Sequence, residues 1–306
     1  MSYVAIAREK AEVVERTGLL GAGDAGRQVL ARFFLEGFGT SEQRERWLAR
    51  VAAVAISEPR VGAHPKLLNT RAQENADGYR IFGEKAWVTD GPFADVFIVL
   101  AITSIEVGRK RYSAFLVPRD TPGLTIDEAP QYRALAPSRH CGLKLDGCHV
   151  AHSALLGTIG MAYDSMALPF RDVEDAVGTF GLLGAFRFVL KRLANGALDA
   201  AATLSLGRLA ALAAVFAEGA TVVVNALDAG ELSRVTDALV GLRVLVADMA
   251  HRAREHRDAY GPPNDATIDR VFDDLATSLS VARGPREARQ MRLGAQLIAD
   301  HRALLG

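Results

Sequence analysis

The feature that most constrains the fold of this 306-residue chain is a change of hydrophobic period that occurs twice. Residues 1–50 read as helical, residues 51–157 carry short β-rich runs between turn signals, and residues 158–306 read as helical again. Strands and helices are thus segregated along the chain, which disfavours an alternating βαβ protein. We predict a multidomain α+β protein with a short N-terminal helical segment, a central antiparallel β-barrel and a C-terminal α-helical bundle.

Local signals support this division at several places. Thr40 followed by Gln43 in GTSEQRERWL is a capping-box pattern and predicts the start of a helix. ENADGYRIFGEK predicts a hairpin around Ala76, Asp77 and Gly78. The Ala- and Leu-rich sequence after residue 160 predicts four or five helices.

Composition disfavours several classes of protein. Lys plus Arg equals Asp plus Glu at 36 each, so the basic surface that nucleic-acid binding needs is not indicated. The start of the chain lacks the order of a signal peptide. The most apolar run, Leu209 to Leu227, is interrupted by Glu218 and Asn225, so no membrane span is predicted.

The two cysteines, Cys141 and Cys148, are an odd number of positions apart. On one regular strand they would point to opposite faces, and they could not bridge directly. We therefore expect no disulfide framework and a cytoplasmic location.

The common motifs for dinucleotide, metal and phosphate sites and for a nucleophilic serine do not predict such a site in this sequence. Gly21, Gly23 and Gly26 form a literal G-x-G-x-x-G, but a charged helix end precedes them where a dinucleotide fingerprint needs a buried strand. A helix–helix turn is the better prediction. The histidines of the β zone show no ligand spacing, so no metal site is predicted. The sequence has no G-x-S-x-G and no Walker loop.

The β zone also contains four segments in a distinctive order: AISEPRVGA, ADGYRIFGEKAWVTDGPFADVFIVLAIT, SAFLVPRDTPGLTI and LKLDGCHVAHSALLG. In this order they resemble the middle β-domain of the acyl-CoA dehydrogenase family. GFGTSEQRERWLARV resembles the last N-terminal helix of that family, and LVADMAHRAREHRDAY more weakly resembles a helix of its C-terminal bundle. The resemblance implies an FAD-dependent oxidoreductase that acts on acyl-CoA or a similar thioester by α,β-dehydrogenation.

The resemblance also implies where FAD would lie. The family's Trp-Ile-Thr run stands beside the flavin and matches Trp87, Val88 and Thr89 here. The pair that meets the flavin's pyrimidine edge matches Ile56 and Ser57, and hydroxyl or N–H groups there would stabilise negative charge on the reduced ring. The alternative for Thr89 is plain packing as a β-branched strand residue. The cofactor-binding residues implied are Ile56, Ser57, Gly62, Trp87, Val88 and Thr89.

The catalytic base departs most from the family. Laying RDVEDAVGTFG on the family's first C-terminal helix puts Arg171 where a Glu base would stand, and Glu174 follows one turn later on the same face. In a buried pocket, Glu174 would have a raised pKa and could act as a base. The alternative is an ordinary surface or Arg-paired carboxylate.

Other departures concern the cofactor and substrate contacts. The family's Gly-Ser-Asp reads Gly62-Ala63-His64 here, which removes a hydroxyl. No clear match exists for the family's Arg-x-x-Phe-Gly, which helps hold FAD across a subunit interface. Two functions therefore remain open: a divergent flavoprotein oxidoreductase, and a non-catalytic partner subunit or scaffold. We expect a homo-oligomer formed through the C-terminal helices, with a hetero-oligomer as the alternative.

Overall fold

The computed structural model describes residues 1–129, 134–195, 199–261 and 265–305. The N-terminal part is helical, as predicted. The Thr40 hydroxyl accepts a hydrogen bond from the Gln43 amide at 3.2 Å, and the Gln43 side chain accepts one from the Thr40 amide at 3.0 Å. This reciprocal capping box confirms the predicted helix start. The N-terminal helices are α1 (Tyr3–Thr17), α2 (Ala25–Leu30), which a π-helical turn (Ala31–Glu36) extends, and α3 (Ser41–Trp47).

The glycine-rich segment between α1 and α2 is a turn. It follows a helix, so the dinucleotide-binding geometry of strand, turn and helix is not formed there. The predicted helix–helix turn is confirmed at Gly21 and Gly23, while Gly26 lies in the first turn of α2.

All eight strands of the described chain lie between residues 52 and 156. Successive side chains of the long strands alternate between the core and the other face of the sheet. The strands are β1 (Ala52–Ala55), β2 (Arg71–Asn75), β3 (Gly78–Thr89), β4 (Val96–Glu106), β5 (Arg109–Pro118), β6 (Leu124–Asp127), β7 (His140–Val150) and β8 (Leu155–Leu156). The β2–β3 hairpin closes with Asn75 opposite Gly78, as the ADG turn predicts.

The sheet is open and mixed, which corrects the prediction of an antiparallel barrel. Its order is β6-β7-β3-β2-β4-β5-β8, and β1 pairs with β4 off this path. β1 runs parallel to β4, and β2 meets β4 in parallel at Arg71 and Ile102. The physical reason lies in the long stretches of chain between the parallel partners, residues 56–95 between β1 and β4 and residues 76–95 between β2 and β4, because a connection of this length can cross over to a parallel neighbour, whereas a tight turn gives only antiparallel pairing.

The cysteines show a second departure. Cys141 and Cys148 are both fully buried in the core of the sheet and are not bonded to each other. They face the same side because β7 changes phase at Gly147, which has φ 67° and lies at a shift in the β3–β7 register. The predicted absence of a disulfide agrees with the structure, but the argument from opposite faces is wrong.

The described residues of the C-terminal part form five long helices, at the upper limit of the four or five predicted. Their sequence is rich in Ala and Leu, and each of α5, α6 and α7 buries an apolar stripe. They are α4 (Leu168–Leu193), α5 (Ala200–Asp228), α6 (Thr236–Tyr260), α7 (Ala266–Ser280) and α8 (Arg283–Leu305).

By contact, the chain forms two compact units, residues 24–174 and residues 1–23 with 175–306. The predicted boundaries near residues 50 and 157 follow the change of element type, whereas these units follow packing.

In the second unit, the Asp228 carboxylate at the end of α5 accepts hydrogen bonds from the Tyr3 and Val4 amides at 2.8 and 2.9 Å and caps α1. A side chain at Gly184 would come within 2.4 Å of the Ala11 carbonyl, so glycine permits α1 to lie against α4.

One helix of the described chain, α5, is long and apolar enough to cross a membrane by length and composition alone. A third of its most apolar window is buried within the protein. A core helix of a bundle passes the same test, so this observation is weak evidence for a membrane segment.

Candidate functional site

The Trp-Val-Thr segment lies at the end of β3, where the strand is irregular. The β3–β7 register shifts between Lys85 and Val88, and Trp87 has φ 57°, an unusual value for a residue with a side chain. As a result Val88 points into the core and is fully buried, while Trp87 is 51% exposed. The bulge therefore turns the indole outward instead of leaving it in the core.

A second segment, Ile56–Ser57, lies directly beside this bulge. The Ala86 amide donates a hydrogen bond to the Ser57 carbonyl at 2.9 Å. Ile56 and Ser57 are half-buried, and Thr89 is exposed at the end of β3. Neither the Ser57 nor the Thr89 hydroxyl has a hydrogen-bond partner among the described residues. The structure thus brings together two segments that lie 30 residues apart in sequence, with both hydroxyls available to a ligand.

A buried ion pair fixes this arrangement. The Lys85 ammonium lies 3.1 Å from the Glu58 carboxylate and donates to the Ile56 carbonyl at 3.1 Å. The Glu58 carboxylate also accepts hydrogen bonds from the Asn69 and Thr70 amides at 2.7 and 2.9 Å. One carboxylate and one ammonium therefore hold β3, the segment after β1 and the start of β2 in a single network.

The protonation equilibria of this pair follow from burial and charge. Complete burial lowers the pKa of Lys85 to about 8, although the charge of Glu58 opposes this shift. Burial acts to raise the pKa of Glu58, but the charge of Lys85 and the hydrogen bonds from Thr70 and Asn69 together lower it. Glu58 is therefore ionised at neutral pH, and Lys85 carries most of its charge there.

The end of β3 is held by charged residues. Asp90 has φ 58°, and its carboxylate accepts a hydrogen bond from the Arg27 guanidinium at 3.0 Å. Thr89 is opposite His140 in the register, and the His140 and Trp87 ring centroids are 6.1 Å apart in an edge contact. Burial lowers the pKa of His140, with Asp90 opposing, so this imidazole is neutral at neutral pH.

Gly62 lies in a short turn after Glu58. Its carbonyl accepts a hydrogen bond from the Glu58 amide at 2.9 Å, and its φ is 58°. A side chain placed at Gly62 would meet no atom within 4 Å. The turn leads to Ala63, whose carbonyl is 3.5 Å from the Tyr163 hydroxyl.

The candidates for the base lie at the start of α4. The Arg171 side chain is half-buried and hydrogen-bonds the Tyr163 hydroxyl. Burial raises the pKa of Tyr163, while Arg171 opposes the rise. Glu174 is exposed, so the buried pocket in which the sequence suggested it could act as a base does not form around it in the chain. The neighbouring Asp175 is buried but points to a different role, since two arginines bind it.

Sequence reasoning missed Glu58 and Lys85, although both lie inside the segments it singled out. A signal was available: Glu58 follows closely on the apolar run VAAVAI, and Lys85 directly precedes the apolar run AWV. Such residues are rarely buried unless they are paired. No cluster of three His, Cys, Asp or Glu side chains with metal-ligand geometry occurs in the described ranges.

Sequence comparisons agree with this architecture. Residues 53–148 match the family model described as acyl-CoA dehydrogenase, middle domain. The chain is 33% identical over 132 residues to the short-chain specific acyl-CoA dehydrogenase of Rattus norvegicus, which covers 41% of this chain and 32% of that protein. It is also 29% identical over 191 residues to the isovaleryl-CoA dehydrogenase of Oryza sativa, and this match covers 60% of this chain and 46% of that protein. The match thus spans less than half the length of these relatives.

The fold comparison covers more of the chain. The butyryl-CoA dehydrogenase of Megasphaera elsdenii matches 97% of this chain and 82% of its own, with a TM-score of 0.82 and 19% identity. A glutaryl-CoA dehydrogenase from Mycobacterium smegmatis was solved in complex with FADH2. Its structure matches 92% of this chain and 76% of its own, with a TM-score of 0.74 and 21% identity. Residues 53–148 thus match the middle domain of the acyl-CoA dehydrogenase family, and the chain shares the fold of solved acyl-CoA dehydrogenases over most of its length.

Proposed function

We propose that the protein is an FAD-dependent oxidoreductase that removes the α-proton and a β-hydride from an acyl thioester. The observation that carries the proposal is the hydrogen bond between the Ala86 amide and the Ser57 carbonyl, which holds together two segments whose Ser57 and Thr89 hydroxyls have no partner among the described residues. These segments lie inside the middle-domain match.

The residues present fit a flavin. Ser57 and Thr89 offer hydroxyl donors, Trp87 offers a half-exposed aromatic face, and the Gly62 turn leaves open space. FAD, when bound, would accept the hydride. The chain's own contribution would be to orient the ring and to donate hydrogen bonds where negative charge develops on reduction.

The proton step depends on a base that this chain supplies poorly. Arg171 stays protonated and cannot accept a proton. We propose Glu174 as the base, although its side chain is exposed in the chain. General-base assistance is worth about 10²–10⁴-fold. We therefore expect slow turnover by the isolated chain.

The substrate class is an acyl thioester, and the carrier is open to test. The relatives' names specify CoA thioesters. One structural neighbour, with a TM-score of 0.73 and 19% identity, is a prolyl acyl carrier protein oxidase. An acyl group on either carrier presents the same acidic α-hydrogen, so the acyl chain and carrier are best assigned with a panel of both.

The experiment is an anaerobic titration of the purified full chain, after incubation with FAD, against saturated acyl thioesters. We expect a visible flavin spectrum that bleaches slowly, and more slowly still in Glu174→Gln. Glu12→Gln, at an exposed position on α1, is the matched control and should bleach at the wild-type rate.

The outcomes separate the parts of the proposal. A colourless protein that gains no flavin would overturn it and favour the non-catalytic alternative, a partner subunit or scaffold. If flavin binds but no thioester bleaches it, the proposed cofactor would be supported and the proposed substrate class would be wrong. Bleaching that is unchanged in Glu174→Gln would show that the base lies elsewhere.

We also propose that the protein is oligomeric and cytoplasmic. The exposed apolar side chains of the helical bundle support association. The two buried, unbonded cysteines are compatible with a reducing compartment.

A further inference from the structure

The imidazole of His140 lies next to two of the residues that would contact the flavin. His140 begins β7 and is the cross-strand partner of Thr89 at the end of β3. Directly opposite residues of an antiparallel pair present their side chains to the same face of the sheet, with Cβ atoms about 5 Å apart. The His140 ring also meets the edge of the Trp87 indole, with 6.1 Å between the ring centroids. A flavin that contacts Trp87 and Thr89 would therefore lie beside His140.

One nitrogen of the His140 ring has nothing to bind within the described residues. The Nδ1 atom is fully enclosed, and no described residue forms a hydrogen bond with it. Buried polar atoms are nearly always paired, so an unpaired one needs an explanation, and a redox role is a recognised one. A neutral imidazole carries one N–H group and one free lone pair, and it gains a second N–H group on protonation. Protonation of this ring would break no hydrogen bond of Nδ1 to a described residue.

The charged groups near His140 are already paired with one another. Burial lowers the pKa of His140, and the charge of Asp90 opposes this shift. The Asp90 carboxylate is itself bound by the Arg27 guanidinium at 3.0 Å. On the other side, Arg139 forms an ion pair with Glu128. The imidazole therefore stays neutral at neutral pH unless a further negative charge is placed beside it.

Reduction of a flavin at this site would supply that charge. Negative charge develops on the ring when it is reduced, and a nearby negative charge favours the protonated form of a histidine. We propose that His140 is a redox-linked proton site: its imidazole takes one proton from solvent when the flavin is reduced and returns it when the flavin is reoxidised. One N–H bond forms on the imidazole, and no other bond of the protein is made or broken. The electrons come from the β-hydride of the thioester and stay on the flavin.

This inference rests on the proposed function, because it needs FAD beside Trp87 and Thr89. It adds a residue that the proposed chemistry does not use. His140 acts on the flavin through its charge alone, so its effect belongs to the redox equilibrium of the flavin. The proton that leaves the α-carbon of the thioester goes to a different group.

Two variants fix the charge at this position. His140→Gln stays neutral at every pH, and His140→Arg stays positively charged. Opposite unit charges several ångströms apart near a protein surface change an equilibrium by about 10-fold or more. At a fixed ratio of reduced to oxidised reference dye, His140→Arg should therefore hold about 10-fold more of its flavin reduced, relative to oxidised, than His140→Gln.

The experiment is a slow anaerobic reduction of the FAD-loaded full chain by dithionite in the presence of a reference dye, repeated from mildly acidic to mildly basic pH. The wild type should follow His140→Arg at acidic pH and His140→Gln at basic pH. His149→Gln, at an exposed position on the same strand, is the matched control and should follow the wild type throughout. No thioester is added, so the result does not depend on the base or on the substrate class.

Nuclear magnetic resonance of the histidine rings gives a second measurement that needs no variant with altered charge. The protonation midpoint of His140 should move to higher pH when the bound flavin is reduced, whereas that of His149 should stay where it is. His140→Gln assigns the signal. Far-UV circular dichroism of each variant separates a change of redox equilibrium from a loss of folding.

The outcomes distinguish this inference from the proposed function. A wild type that parallels His140→Gln at every pH, or a His140 midpoint that is the same with oxidised and reduced flavin, would overturn the inference and leave FAD binding intact. If both charge-fixing variants lose FAD, the midpoint measured in the wild type decides alone. A chain that stays colourless after incubation with FAD would overturn the proposed function, and this inference with it.

Discussion

The Lys85 ammonium lies 3.1 Å from the Glu58 carboxylate and 3.1 Å from the Ile56 carbonyl, and both charged side chains are buried. This contact fixes the segment that carries Ser57 against the strand that carries Trp87 and Thr89. The candidate flavin site therefore rests on an ion pair whose two residues are not among those predicted to contact the flavin. Its chemistry leads to the first two predictions.

Removing one partner of this pair should destabilise the sheet strongly. In Lys85→Met the Glu58 carboxylate stays buried without its cation, a change that typically costs about 3–5 kcal/mol. The double variant Glu58→Gln/Lys85→Met should lose less than the sum of the two single variants, since no charge is left uncompensated. Urea unfolding measures both effects, and Lys144→Met, at an exposed position on β7, should unfold like the wild type. Additive losses would contradict the coupling.

The same pair predicts a pH dependence with a definite sign. Lys85 has a pKa of about 8 when folded, below its ordinary value of 10.5, so the unfolded chain binds more protons between these values. The free energy of unfolding should therefore rise, relative to Lys85→Met, as pH increases from about 8 to 10.5. The lowered pKa of Glu58 contributes stability above its ordinary value of 4.5, and this is lost as pH falls through the folded-state pKa. A flat difference between the wild type and Lys85→Met would refute the assignment.

Removing the Thr89 hydroxyl should weaken FAD binding. A hydrogen bond to a charge-bearing group is worth about 1.5–3 kcal/mol, which corresponds to roughly 10–100-fold in the dissociation constant. Thr89→Val should show this loss and Thr89→Ser should retain most of the affinity, as measured by fluorescence titration with FAD. Thr125→Val, an exposed strand position on β6, controls for the general effect of the substitution. Equal affinity in Thr89→Val would leave Thr89 as a packing residue only.

Trp87 should report the protonation of His140. The rings are in edge contact, and burial lowers the pKa of His140 below its ordinary 6.5. In Trp47→Phe, where Trp87 is the remaining tryptophan, fluorescence should fall as the imidazole becomes charged, with a midpoint below pH 6.5. The transition should vanish on adding His140→Gln. A midpoint at or above 6.5 would show that burial does not govern this histidine.

Asp175 should be essential to the stability of the helical bundle. Its carboxylate accepts hydrogen bonds from the Arg243 and Arg286 side chains at 2.6 and 2.7 Å, and these join α4, α6 and α8. Asp175→Asn removes the charge that both arginines share, so we expect a loss of about 3–5 kcal/mol. Helical circular dichroism in urea would measure it, and Asp248→Asn, at an exposed position on α6, should show little change.

The sequence by itself determined the features that depend on near neighbours. The capping box of Thr40 and Gln43, the hairpin at Asp77 and the glycine turn after α1 each need only a few adjacent residues, so local propensity decides them. The division into helical, strand and helical zones follows from hydrophobic period in the same way. The ordered β segments likewise indicated the family before any contact was known.

The tertiary structure alone decided what depends on residues far apart. The parallel pairing of β1 with β4 opened the predicted barrel into a mixed sheet, and the bulge at Gly147 turned Cys148 to the same core as Cys141. The contact between Glu58 and Lys85 spans 27 positions, and its strength comes from burial that no local pattern specifies. Burial also separates two neighbours at the start of α4: Asp175 is enclosed between arginines, while Glu174 remains exposed. Pairing and burial are properties of the folded chain as a whole, which is why the sequence could name the candidate residues but not their surroundings.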